Sequence, residues 1–197
     1  MDACQFFLLR YEPVHRAVAE GLLGGLTDDQ IRSRPVDGVN PIAWIVWHIA
    51  RGEDLGVSRF VGHRPQLFFE EGWGQRLNVP DADLGTGMTA EEVAGLSARV
   101  DLDGLRAYWA RLEQRTRSIV GDLHPEDLDA VNDPTYIREV VEQDRMFREA
   151  GRWGEGYWAE LPDRSKGYFL GYLGLTHTWA HYSEAMVTRS LLGLPGR

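Results

Sequence analysis

The 197-residue chain contains one cysteine, Cys4. No disulfide can form within it, and a metal cluster built on thiolates is excluded. A reducing cytoplasm is the expected compartment. Long apolar runs are also missing. The opening stretch Phe6 to Leu9 is preceded by Asp2 and followed by Arg10, the wrong flanks for a secretory signal. Nothing approaches the ~18 apolar residues of a membrane-spanning helix. Positive charge is in deficit, since 21 Lys and Arg face 30 Asp and Glu for a net charge of -9. Such a chain repels phosphate backbones and anionic lipid, so neither nucleic acid nor a membrane is expected as a partner. Internal repeats, low-complexity tracts, a P-loop, a dinucleotide fingerprint and a G-x-S-x-G elbow are all absent. The H-E-x-x-H peptidase pattern fails because Thr178 follows His177.

What is present is a soluble balance of 43% hydrophobic and 26% charged residues, enough for one domain spanning 1–197 with a real core. Its periodicity is helical. Phe7, Tyr11, Val14, Val18 and Leu22 form one stripe, which Pro13 should bend or start and Gly24-Gly25 should end. Thr27 to Gln30 is a capping box for a short turn. Asn40-Pro41 reads as N-cap and first helical residue of a second helix over 41–62, apolar nearly all round up to Ala50. Residues 63–88 hold six glycines and prolines and read as a long loop, a length that often marks function. Thr89 to Glu92 caps a third helical region reaching Leu123, with Gly95 and Asp101 to Gly104 as possible breaks. His124-Pro125 to Asp133-Pro134 is a connection, Tyr136 to Ala150 a mostly polar helix, and Gly151 to Pro162 a loop. A last helix runs from Ser165 to Leu192, ended by the Gly193 region and Pro195. The fold class is all-α. Four long helices imply a four-helix bundle with a long loop after helix 2 and a helical insertion before helix 4.

The chemistry concentrates in histidines. His177 and His181 are spaced i, i+4, which places two imidazoles one turn apart on one helical face. Their stripe, Leu170, Leu173, His177, His181, Glu184, Thr188 and Leu191, has apolar ends and should face the core, where polar groups need partners. His48 lies in the apolar half of the second helix. A third imidazole there would complete a three-histidine site with an open position, the pattern of a catalytic metal. Glu184 is the candidate catalytic residue, as general base or as partner to a ligand; the bland reading is an ion pair with Arg189 or with another helix. Glu53 and Asp54, one turn beyond His48, either orient a ligand or face solvent, and read as solvent-facing. His15 and His63 read as surface residues, His124 as a turn residue, and Cys4 as a small buried side chain. Trp44, Trp47 and Trp109 fit core stripes. Trp73, Trp153 and Trp158 fall in loops, where they either pack or roof a pocket.

Asn40 to Asp54 resembles the second-helix signature of the DinB-like superfamily. His177 to Glu184 resembles its fourth-helix H-x-x-x-H signature, and Thr89 to Leu128 its third helix and following turn. The resemblance covers nearly the whole chain. It implies a four-helix bundle, often a homodimer, holding one divalent metal on His48, His177 and His181; three imidazoles suit Zn, Ni, Fe and Cu alike, and Zn or Ni is the expected ion ahead of Fe. The superfamily includes bacillithiol and mycothiol S-transferases and the mycothiol-dependent maleylpyruvate isomerase, in which the metal activates a thiol as thiolate. The expectation is therefore a metal-dependent transferase acting on a low-molecular-weight thiol and an electrophilic small molecule. Two alternatives stay open: a non-catalytic dimeric metal-binding bundle, and a hydrolase using metal-bound hydroxide.

Overall fold

In the computed structural model, which describes residues 1–194, Asp2 opens α1 (Ala3–Val18) with a reciprocal cap. Its side chain accepts the Gln5 N–H while the Gln5 amide oxygen accepts its own N–H. Phe7, Tyr11, Val14 and Val18 are buried as the stripe requires. The helix runs through Pro13 unbroken, with the ring on the exposed side. It continues as a wide π-type turn, Ala19–Leu23, and stops at Gly24. The capping box at Thr27 opens the single turn α2 (Asp28–Arg32).

The second long helix, α3 (Ile42–Leu55), is buried along its whole length. Each fully buried large apolar side chain on it contributes about 1.5–3 kcal/mol. Its N-cap is Pro41, one residue later than expected, and no side chain caps it. Asn40 is free for another role. Another π-type turn, Gly56–Val61, extends α3. There a Cβ on Gly56 would stand 2.2 Å from Cδ1 of Leu173, so only glycine lets the two rods meet.

The connection 63–88 is not wholly irregular. It holds two short helices, α4 (Leu67–Glu70) and α5 (Trp73–Arg76), and Trp73 is buried in the core. The third region splits where the second break was expected. α6 (Ala90–Arg99) passes through Gly95, and α7 (Leu102–Gly121) restarts on the Asp101 side chain, which accepts the Gly104 N–H. The helix expected over Tyr136 to Ala150 is α8 (Pro134–Gln143), shorter because Arg145 adopts a left-handed φ of 50° and reverses the chain. The expected loop Gly151 to Pro162 contains a helix, α9 (Trp153–Ala159). The last rod is α10 (Lys166–Gly171), a π-type turn Tyr172–Thr176, and α11 (His177–Leu191), with Ser165 as N-cap. Leu191 is exposed at its far end, not buried as its place in the stripe suggested. Pro195, expected to end the rod, lies outside the described residues.

α1, α3, α7 and the α10–α11 rod pack side by side, α3 against both α7 and α11, and α1 against both α7 and α11. Among the described residues there is no strand, only an isolated bridge between Val131 and Ser165.

Two buried polar clusters flank α3, and both correct the sequence reading. Glu53 and Asp54 are fully buried, not solvent-facing, and His15 is buried, not on the surface. Asp54 accepts hydrogen bonds from the Leu67 and Phe68 N–H groups, Ser58 and Tyr108. The Arg51 guanidinium lies 3.8 Å from it and donates to Gln66 and the Ala82 carbonyl. This cluster ties the 63–88 connection to α3 and α7. On the other side Glu53 accepts from Tyr11 and Thr116 at 2.6 and 2.7 Å. His15 Nε2 is 3.4 Å from the Glu53 carboxylate, and its ring stacks on Trp109. Buried charges need such partners, and a periodicity argument sees the charges without seeing the donors.

Candidate metal centre

His48 sits in the middle of α3. Its ring stacks on Trp44 one turn earlier, with centroids 4.8 Å apart and planes 7° from parallel. Nδ1 lies 2.5 Å from the Leu84 carbonyl oxygen. A carbonyl only accepts, so Nδ1 carries the hydrogen and Nε2 presents a bare lone pair. Leu84 is placed by the 63–88 connection, which crosses the tryptophans at Gly85. That residue has φ +82°, and a Cβ on it would approach Trp47 to 2.8 Å. The Leu84 N–H in turn donates to the Met146 carbonyl.

His177 begins α11 directly after the wide turn Tyr172–Thr176, a kind of helical irregularity frequent at functional sites. Its Nε2 is 3.2 Å from Nε2 of His48, and its Nδ1 is buried without a hydrogen-bond partner. The ring lies over Gly52, where a Cβ would come within 3.0 Å of Cε1. His181 follows one turn later. Its Nδ1 donates to Glu184 Oε2 at 2.6 Å, and Asn40 Nδ2 donates to the other carboxylate oxygen at 2.8 Å. Glu184 thus serves His181 and not Arg189, whose guanidinium donates to the Gly21 carbonyl.

The three histidines offer ligand nitrogens that all lie within 4.8 Å of one another, a grouping able to hold a metal ion. Burial, reinforced by His181, pulls the His48 pKa down to about 4. Burial first, then His48 and His181, pulls His177 well below the usual imidazole range. Both are therefore neutral at pH 7, the form that binds metal. For Glu184 burial opposes ionisation, but the hydrogen bonds from His181 and Asn40 outweigh it and hold the carboxyl below its ordinary value. Two imidazole nitrogens each ~2.05 Å from a tetrahedral ion stand roughly 3.3 Å apart. The His48–His177 separation fits that spacing.

The imidazoles form the floor of a cavity of about 380 Å³. Its walls are Leu84 and Thr86 from the long connection, Phe147, Trp153, Tyr157 and Trp158 around α9, and Tyr172 and Leu173 from the wide turn. Two of the loop tryptophans, Trp153 and Trp158, line it, while Trp73 packs in the core. Cys4, His63 and His124 do not line it; Cys4 is buried in α1 and the two histidines are exposed. Sequence reasoning missed Asn40, Gly52 and the Leu84 carbonyl. Asn40 looked like a cap, and a glycine or a carbonyl carries no sign of a partner 36 or more residues away.

No curated protein matches the chain. A crystal structure described as that of a conserved protein from Enterococcus faecalis superposes with a TM-score of 0.69 at 21% identity, covering 98% of this chain and 99% of that one, a likeness of fold. A family model, that of the DinB superfamily, matches residues 14–185. That span takes in the whole of α3 and α7 and all three histidines, and the chain belongs to the DinB superfamily.

Proposed function

We propose that the protein is a divalent-metal-dependent transferase joining a low-molecular-weight thiol, of mycothiol or bacillithiol type, to an electrophilic small molecule. The scaffold is read as a four-helix bundle with a long connection after its second helix and a helical insertion before its fourth. One observation carries the reading: His48, His177 and His181 converge with their ligand nitrogens at the floor of an open cavity. Three neutral protein ligands leave room for a further ligand. Zn²⁺ or Ni²⁺ suits such a set, and so does Fe. A divalent ion held there supplies Lewis acidity that lowers the pKa of a coordinating thiol. The thiol sulfur bonds to the electrophilic carbon, the leaving group departs with its electron pair, and the thiol proton passes to solvent.

The chain's own residues position and shield. Leu84 fixes the His48 tautomer. Both Glu184 oxygens are committed, one to His181 and one to Asn40, so Glu184 orients a ligand and leaves the thiol proton to solvent. The lining contains no serine or cysteine among the described residues, which supports an external nucleophile. Exposed Phe6 and Leu9 on α1 support a homodimer, which light scattering tests.

The test is metal content by mass spectrometry on protein purified without an affinity metal, beside a His177→Ala/His181→Ala variant. About one ion per chain, lost in the variant, is expected. The Co²⁺-loaded protein should then shift its visible spectrum with a bacterial thiol. A folded protein with no metal, or a spectrum that no thiol perturbs, sinks the reading.

A further inference from the structure

The chemistry of the cavity above the imidazoles limits what can enter it. No Lys, Arg, Asp or Glu lies among the described residues lining it. A bound ion would draw an anion only to the floor; an anionic substituent against the walls would lose its hydration with no cationic side chain there to replace it. Five aromatic rings stand there instead: Phe147, Trp153, Tyr157, Trp158 and Tyr172.

Two of these rings are placed at odds with ordinary packing. Trp153 is 73% exposed and Tyr157 is 48% exposed, although both belong to one short helix that borders the cavity. Gly154 seats that helix on Phe147, since a Cβ there would come within 2.7 Å of the Phe147 ring. The helix is thus held close while Trp153 and Tyr157 keep free ring surface at the cavity. Large exposed aromatic surface beside a preformed cavity is what a flat ligand covers. The volume of about 380 Å³ falls in the range of small-molecule sites.

We infer that this cavity takes an uncharged, flat aromatic group, packed against Trp153 and Tyr157 with its reactive end toward the three imidazoles. In the proposed transferase this group belongs to the electrophile. The inference rests on that reading for its chemistry but not for its binding.

The experiment is isothermal titration of the full-length protein, as purified, with three probes: 2-naphthalenemethanol, cyclohexanemethanol and naphthalene-2-sulfonate. The first is neutral and flat, the second neutral and not flat, the third flat and anionic but a poor metal ligand. The neutral aromatic probe is expected to bind at least tenfold more tightly than either of the others. Trp153→Ala should weaken it about tenfold, Tyr157→Ala by less, and Trp179→Ala, outside the lining, not at all. Because Trp153 is mostly exposed, its variant should keep the wild-type melting temperature. If Trp153→Ala does melt early, Tyr157→Ala decides. Equal affinity for the three probes, tighter binding of the sulfonate, or unchanged affinity in both aromatic variants overturns the inference. Protein that carries no metal but still selects the neutral aromatic probe would sink the transferase reading and leave this one standing; metal-loaded protein without the selection would do the reverse.

Discussion

A Cβ on Gly52 would stand 3.0 Å from Cε1 of His177 and 3.3 Å from Nδ1. The glycine on α3 is therefore the seat of an imidazole on α11. Gly52→Ala forces the ring to shift by a few tenths of an ångström, against a neighbouring nitrogen only 3.2 Å away. Zinc affinity should fall at least tenfold while the circular dichroism spectrum is unchanged. Wild-type affinity in a competition titration with a coloured chelator would refute this.

Glu184→Ala removes the acceptor that orients His181, and such partners are worth roughly 10–100-fold in metal affinity. Asn40→Ala acts through Glu184 and should cost less, about three- to tenfold by the same reasoning. In the Glu184→Ala background, Asn40→Ala should have no further effect. Additive losses in that double-mutant cycle would show that Asn40 acts by another route.

Asp54→Ala strips the acceptor from four donors and leaves the Arg51 guanidinium buried opposite a methyl group. Breaking a buried pair of this kind costs about 3–5 kcal/mol. Urea unfolding should register that loss, and Arg51→Met should lose stability too. A loss under about 1 kcal/mol in Asp54→Ala would mean that water replaces the carboxylate.

The alkaline limit of stability should lie near pH 10. Burial, then the Glu53 carboxylate, holds the Tyr11 pKa well above its ordinary value; burial, then Asp54, does so for Tyr108. Above about pH 10 the unfolded chain releases these protons while the folded chain keeps them. The unfolded state then binds fewer protons, so stability falls as pH rises. Absorbance at 295 nm should show two tyrosines ionising only with unfolding, and Tyr11→Phe should remove one of them. Free titration of all tyrosines in the folded protein would contradict this.

A divalent ion binding the native state alone stabilises it by about 4 kcal/mol at a thousandfold excess over Kd. For a chain of this size that raises the melting temperature on the order of 10 °C. Chelator should reverse the shift in the wild type and leave His177→Ala unmoved. An identical shift in both would place the ion elsewhere.

The rods and the three histidines were legible because both follow the period of a helix. His177 and His181 share a face by spacing alone, and His48 sits in an apolar run that has to be buried. What surrounds them was not legible. Glu53, Asp54 and His15 looked solvent-facing or superficial because their donors and stacking partners come from α1, α7 and the long connection. α9 was hidden by Gly151, Gly154 and Gly156, which weaken helix propensity over so short a stretch. Asn40 carried a capping pattern that the chain uses one residue later, and its amide was spent 144 residues away on Glu184.

His48 and His177 touch across 129 residues of sequence. Any ion they share closes most of the chain into a single loop, and clips that close long loops constrain a chain the most. With Cys4 as its only thiol, the chain has no covalent way to make such a staple. The ion would be a removable substitute, fastened by neutral imidazoles and released by acid or chelator. Either half of the molecule, in letting go, would open the ring, so the colour of a bound cobalt ion would fade with the first cooperative unfolding step wherever that step began.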